Sequence, residues 1–287
     1  MPTAKTSDVL AVDGHQHFWD PERVPLPWLR PEHEQIARAF EPAELEPQLH
    51  EAGIARTILV QSACSNEDTD AMFVRAARHD WIAAVVAWAP LLDPPRARER
   101  LHELSAQPKL RGIRHLIHDE ADPHWILQPE VLESLALLEE RGLVLELPVV
   151  FPRHLADVPE LASSFPRLTI VIDHLGKPPS GGDAFTAWAG QLEDAAAHGN
   201  VAAKVSGLDV GRDLRPAVET ALAAFGADRL LAGSDWPVAL LGGVDYRRVW
   251  SETRRVLELT APDDARAILR DTANRLYDLP HSNDGAH

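Results

Sequence analysis

Cysteine is almost absent. The single Cys64 among 287 residues excludes an intramolecular disulfide and a cysteine-based zinc cluster. It is expected as a small, semi-buried residue, and a lone thiol fits a reducing compartment, so the protein is expected in the cytoplasm. Basic residues are also short. Lys plus Arg total 28 against 44 Asp plus Glu, a formal charge of −16, which argues against nucleic acid or an anionic membrane surface as partner. No run of about 18 apolar residues occurs, so no membrane span is expected, and Met1 to Asp8 is polar with no apolar signal core. A glycine-rich phosphate turn after the first apolar run is missing too, which disfavours a doubly wound nucleotide-binding sheet.

What is present is an ordinary globular balance, 45% hydrophobic and 25% charged, with an alternation of short apolar runs and helical patterns. The run Val9–Val12 predicts a first strand, followed by a Pro-rich loop over residues 21–31 that carries Trp28. Leu45 and Leu49, four apart, predict a helix over 42–52 that ends at Gly53. Strands are then expected over 56–63, 82–89, 110–116, 143–150, 168–173, 201–206 and 229–232. Helices are expected between them, over 68–79, 94–106, 130–141, 154–163, 184–197 and 214–225, and two more over 246–259 and 263–277. Eight strands, each followed by a helix, in this length predict one (β/α)₈ barrel, a TIM barrel, over residues 1–287, with flexible ends at 1–8 and 280–287.

The active groups of such a barrel lie at the C-terminal ends of its strands. Here those ends are polar. His15 and His17 stand two apart at the first strand's end, so their side chains share a face. Later strands end near Gln61, Trp88, Arg114 with His115 and His118, Glu146, Asp173-His174, Lys204 with Ser206, and Gly233-Ser234-Asp235-Trp236-Pro237. The other histidines, His33 among them, fall in helices, loops or the tail and are expected to be solvated.

His15-Gln16-His17, Asp173-His174-Leu175-Gly176-Lys177-Pro178 and Gly233-Ser234-Asp235-Trp236-Pro237 resemble the amidohydrolase superfamily, in particular its branch of sugar lactonases. The resemblance runs from about residue 10 to Tyr277, and Gly112-Ile113-Arg114-His115 matches a segment that faces substrate in that branch. It implies a lactone hydrolase whose cluster is His15, His17, His174 and Asp235. Strand five offers Glu146 and no histidine, so a binuclear metal centre is not expected. One divalent ion, zinc before others, held by those four residues is one alternative, and a metal-independent site is the other.

The expected chemistry is attack of water on the lactone carbonyl, with Asp235 taking the water's proton and returning it to the ring oxygen. His174 and the first two histidines would hold the metal or donate to the developing oxyanion. Arg114 and His118 are candidates for the substrate's hydroxyls or carboxylate, Lys204 for its carbonyl or for an ion pair within the barrel. Glu146 is expected as a neighbour of the cluster, and Trp28 and Trp236, with Trp19 and Trp88, as walls of the pocket. The rival enzyme readings are a hydrolase of an aromatic dicarboxylate lactone and a metal-dependent decarboxylase, both of which need several converging arginines. Arg114, with Arg111 beside it, supplies few. A catalytically silent binding module is the remaining alternative, and a homo-oligomer is left open by the helices' outer faces.

Overall fold

Parallel strands covered on both faces must be apolar at nearly every position, which is why the runs show no clean alternation. In the computed structural model they form one sheet in the order β1 to β8, every neighbour parallel. The strands are β1 Ala11–Gln16, β2 Ile54–Val60, β3 Ile82–Ala87, β4 Leu110–Arg114, β5 Val144–Leu147, β6 Ile170–Ile172, β7 Val201–Val205 and β8 Leu230–Ala232. Helices α1 Pro42–Glu51, α2 Asn66–Arg78, α3 Pro94–Leu104, α4 Pro129–Arg141, α5 Val158–Ser164, α6 Gly182–Ala196, α7 Arg215–Phe225 and α8 Tyr246–Thr260 follow the strands in turn. A short α9, Thr272–Leu276, ends the fold. The structure describes Thr6 and residues 9–280; the stretches expected to be flexible lie outside it, apart from Thr6 and Pro280. Among the described residues no helix is long and apolar enough to cross a membrane.

The strands' period of two separates two apolar layers. Leu59, Val85, Ile113, Leu145, Ile172, Ala203 and Leu230 pack outward against the helices. Their neighbours Ile58, Val86, Val144, Val171, Ala202 and Leu231 point inward and form the barrel's lower interior, closed beneath by Ala273, Tyr277 and Leu279 of the last turns of chain. Two residues further along β4 to β7 the inward positions turn polar. They are Arg114, Glu146, Asp173 and Lys204, all buried.

Simple parity would put the β1 histidines on the wrong face. Val12 points inward, so His15 and His17 would point outward with Asp13. A bulge between Asp13 and Gln16 in the pairing with β2 inserts the extra residue that reverses this, and Gln16 instead donates outward to Thr57 Oγ1 at 3.0 Å. The barrel closes between β1 and the segment after β8, through Asp235 N–H to His15 O and His17 N–H to Trp236 O, both 2.8 Å. Asp13 clamps that seam. Its carboxylate accepts from the Ser234 hydroxyl at 2.6 Å, the Ser234 and His15 amides at 2.9 and 3.1 Å, and the Tyr246 hydroxyl of α8 at 2.9 Å.

Several departures from the sequence reading are local. After the loop expected over 21–31, a 3-10 turn, Pro31–Ile36, rises beside the barrel mouth. The helix expected over 154–163 is a 3-10 turn, Leu155–Asp157, leading into α5, and the last expected helix contains a π segment, Ala267–Asp271, before α9. Cys64 is exposed, not semi-buried. Asp13→Ala should lower the unfolding free energy by about 1–3 kcal/mol for each buried donor it strands. Urea unfolding measures this, and a loss below about 0.5 kcal/mol would show that the seam closes without the clamp.

Candidate metal and catalytic centre

Three imidazoles and one carboxylate converge at the C-terminal mouth. Asp235 Oδ1 lies 3.6 Å from His15 Nε2, 3.4 Å from His17 Nε2 and 3.8 Å from His174 Nε2, and the first two nitrogens are 3.1 Å apart. Their far sides are anchored. His17 Nδ1 donates to Val60 O at 2.8 Å, so Nε2 is the nitrogen turned inward. His174 Nδ1 meets Ser206 Oγ at 2.9 Å, and His15 Nδ1 faces both Asp173 Oδ1 at 3.2 Å and Lys204 Nζ at 3.1 Å.

His15, His17 and Asp235 form a group suited to a metal ion, with His174 beside it. Tetrahedral zinc with bonds of about 2.0–2.1 Å places its donors roughly 3.3–3.4 Å apart; His15 Nε2, His17 Nε2 and Asp235 Oδ1 lie 3.1–3.6 Å from one another, and His174 Nε2 is 3.8 Å from Asp235 Oδ1. Protonation agrees with it. Burial holds His15 well below, and His174 below, the usual imidazole range, which keeps both neutral. Burial opposes ionisation of Asp235, but His174, His17 and His15 around it outweigh burial and hold its carboxyl well below the ordinary carboxylate range.

Backbone strain aims two of the four. His174 at φ 55° and Asp235 at φ 57° are both left-handed, as are Leu175 and Lys177. Each such residue costs about 1–3 kcal/mol and persists only where neighbours enforce it. Trp188 Nε1 holds the first loop by donating to Leu175 O at 2.8 Å. Gly207, just past β7, packs between the two: a Cβ there would lie 2.4 Å from His174 Nδ1 and 2.9 Å from Asp235 Oδ2, and its own φ is +57°.

Above the cluster opens a cavity of about 330 Å³, lined by His17, His174 and Asp235 at its base and by Trp19, Trp28, Arg114 and His118 on its walls. Trp28 ties its Nε1 to Ser62 O at 2.8 Å and so presents only its ring. His118 is half-buried, and burial, with Arg114 and Lys177 nearby, pushes its imidazole down to about 3, leaving it neutral. Arg114 reaches the cavity but is largely committed, with Nε to Asp173 Oδ2 at 2.8 Å and Nη1 to Gln61 at 3.0–3.1 Å.

Other expected contributors lie elsewhere. Trp236 is 2% exposed and sits edge-on between Phe18 and Phe40, a core residue, because the turn after Asp235 carries it to the outer layer. Lys204 and Glu146 are fully buried below the cavity and pair with each other at 2.6 Å, so neither lines it as a substrate contact. Glu146 Oε2 lies 3.9 Å from His15 Nδ1, a neighbour of the cluster and not of the cavity. Arg111 caps Pro108 and Leu110 carbonyls at the opposite end of β4. Trp88 points away from the mouth, donating to His115 Nδ1, while His115 stacks on Trp125 at 3.9 Å.

Sequence reasoning passed over the roles of Asp173, Gly207, Lys177, Arg30 and His33. The last three line the cavity rim. The Asp-His-Leu-Gly-Lys string already held Asp173 and Lys177, whereas His33 and Arg30 arrive only through the 3-10 turn that no periodicity announces. Gly207→Ala should lower kcat/KM by about 100-fold or more through displacement of His174 and Asp235. Steady-state kinetics beside a thermal melt tests it, and activity within about threefold of the parent would rule out that packing as a determinant of geometry.

Known proteins match this architecture. A family model described as amidohydrolase matches residues 12–279. An L-fucono-1,5-lactonase of Burkholderia ambifaria is 38% identical over 240 residues, 81% of this chain and 82% of that protein. Another, of Burkholderia multivorans, is 34% identical over 299 residues, 96% of this chain and 98% of that one. A crystal structure of a Burkholderia multivorans amidohydrolase with bound zinc superposes with a TM-score of 0.86 at 32% identity, covering 94% of this chain and all of that one. With its eight-stranded barrel and its strand-end histidines, the chain belongs to the amidohydrolase family.

Proposed function

We propose that this protein opens a sugar-acid lactone, an aldonolactone, to its hydroxy acid. The observation that carries the reading is the convergence of His15, His17, His174 and Asp235 beneath a cavity with an aromatic wall, together with the activity named for the two Burkholderia relatives. The cavity of about 330 Å³ suits a single sugar ring and little more. The Trp28 ring gives its apolar face a surface to lie on. Neutral His118, with Lys177 and Arg30 at the rim, can hydrogen-bond ring hydroxyls.

Asp235 is the general base in this reading. Its Oδ1 faces the three imidazoles, so Oδ2 is the oxygen left to take a proton from water as that water attacks the carbonyl carbon. The tetrahedral adduct collapses with cleavage of the ring C–O bond, and Asp235 delivers the proton to the departing alkoxide. His15, His17, His174 and Asp235 would hold a divalent ion, zinc by donor type, and such an ion would supply Lewis acidity at the carbonyl and a lowered pKa of water.

The histidine geometry supports the metal alternative over the metal-independent one. Two Nε2 lone pairs 3.1 Å apart repel unless a proton or a cation lies between them. Without a cation, the proton of one nitrogen is spent on the other, and neither is free to hold an oxyanion. A dicarboxylate substrate is less well served. Most of the Arg114 fork is already used on Asp173 and Gln61, and Arg111 is at the wrong end of the barrel. The single cysteine supports a reducing, cytoplasmic setting.

Purified protein assayed on a panel of aldonolactones should contain about one zinc per chain, lose activity on chelation and regain it on adding zinc. Activity that survives complete stripping would remove the metal from the reading, and no hydrolysis of any aldonolactone would remove the substrate class. Asp235→Asn should lower kcat by about 10²–10⁴-fold with the fold retained by circular dichroism. An Asp235→Asn protein as active as its parent would show that the proton goes elsewhere.

A further inference from the structure

Three fully buried polar side chains, Tyr277, Glu146 and Lys204, have no part in the hydrolysis described and no path to the cavity, yet they form one line that ends at His15. The Tyr277 hydroxyl donates to Glu146 Oε1 at 2.5 Å, Glu146 Oε2 holds Lys204 Nζ at 2.6 Å, and Lys204 Nζ lies 3.1 Å from His15 Nδ1. We propose that Tyr277, on the turn that follows α9, is a positioning residue for His15, acting from the barrel floor through Glu146 and Lys204. The inference rests on the reading of His15 as part of the catalytic cluster.

His15 Nδ1 has two neighbours that ask opposite things of it. Asp173 Oδ1 at 3.2 Å can only accept its proton, whereas Lys204 can only donate one. Where the Nδ1 proton goes to Asp173, Nε2 carries the lone pair that a metal needs. Where Lys204 donates, Nε2 carries the proton and points at His17. The strength with which Lys204 is held elsewhere therefore sets the ring's tautomer and its orientation.

Glu146 supplies that hold, and Tyr277 fixes Glu146. The Tyr277 hydroxyl is the donor on Oε1, and the phenol ring packs among the inward apolar residues with Leu279 and Ala273. Removing the hydroxyl leaves Glu146 Oε1 without its donor, so the carboxylate is no longer fixed in the orientation that holds Lys204 Nζ away from His15 Nδ1. Partners that orient a ligating histidine from behind typically change activity or metal affinity by about 10–100-fold when lost.

Tyr277→Phe keeps the ring and deletes only the hydroxyl, and Glu146→Gln breaks the line one step nearer the cluster. Leu279→Ala is the control, since it loosens the same floor without touching the line. For both line variants kcat should fall about 10-fold or more with KM within about twofold. The ¹⁵N chemical shifts of the His15 ring in the metal-free protein should move in the same two variants and stay put in Leu279→Ala. Parental kcat and unchanged His15 shifts in Tyr277→Phe, with thermal loss like that of Leu279→Ala, would overturn the proposal and leave Tyr277 a plug. The shifts are read without substrate, so a protein inactive on every lactone would sink the functional reading while still testing this one. Should Tyr277→Phe fail to fold, Glu146→Gln carries the same two readouts.

Discussion

A barrel interior cannot hold unpaired charge, and this one holds four charged side chains in a single layer. Glu146 and Asp173 face Lys204 and Arg114, so the formal charges cancel: Lys204 Nζ lies 2.6 Å from Glu146 and 3.3 Å from Asp173, and Arg114 Nε lies 2.8 Å from Asp173. Below the layer the interior is aliphatic; above it lie the imidazoles and the cavity. Asp173 belongs to both halves of the arrangement. Burial alone would raise its carboxyl, yet Lys204, His15 and Arg114 hold it well below the carboxylate range, so it stands as a fixed anion beneath His15. The cluster is organised from beneath, by a network whose members never meet substrate.

The same demand for exact placement explains why strain gathers at the mouth. His174 and Asp235 take left-handed backbones that only surrounding structure can impose. The impositions are visible: Trp188 on the first loop, the β1 seam hydrogen bonds and the Asp13 clamp on the second, and Gly207 between the two. A looser barrel would relax these residues into commoner conformations and separate the donors. Stability and function meet in the seam between β1 and the segment after β8, because the two chain ends that close the barrel also carry three of the four converging groups.

Much of this was legible in the sequence. Apolar runs placed all eight strands and showed that their ends are polar, and the family resemblance singled out His15, His17, His174 and Asp235 among those ends. What was hidden depends on parity and turn geometry. Trp236 follows Asp235 directly and was expected at the same pocket, but one residue of backbone turns it to the opposite layer. Lys204 and Glu146 end strands in the same layer as Arg114, yet they pair with each other beneath the cavity while the longer Arg114 reaches it, a difference that no single strand's sequence announces. The β1 bulge, which brings both histidines inward, leaves no mark in the residue types. Arg30 and His33 reach the rim on a six-residue 3-10 turn too short to show a period.

The tautomers carry the mechanistic argument furthest. His17 is held by the Val60 carbonyl with Nε2 turned inward, and His174 is anchored from behind on Ser206, a hydroxyl that can take either role. Only His15 sits between a donor and an acceptor of comparable distance, 3.1 and 3.2 Å. Its proton can therefore pass between nitrogens with a charged partner on either side, without a change of charge. In the proposed reading its Nδ1 proton would go to Asp173 when a divalent ion is held, and its Nε2 proton toward His17 when none is. A site proposed to load a metal from water would need such tolerance, since donors fixed with their lone pairs facing one another would spread apart. The Lys204 ion pair with Glu146 provides it, because Lys204 has a second partner whenever His15 turns its proton the other way.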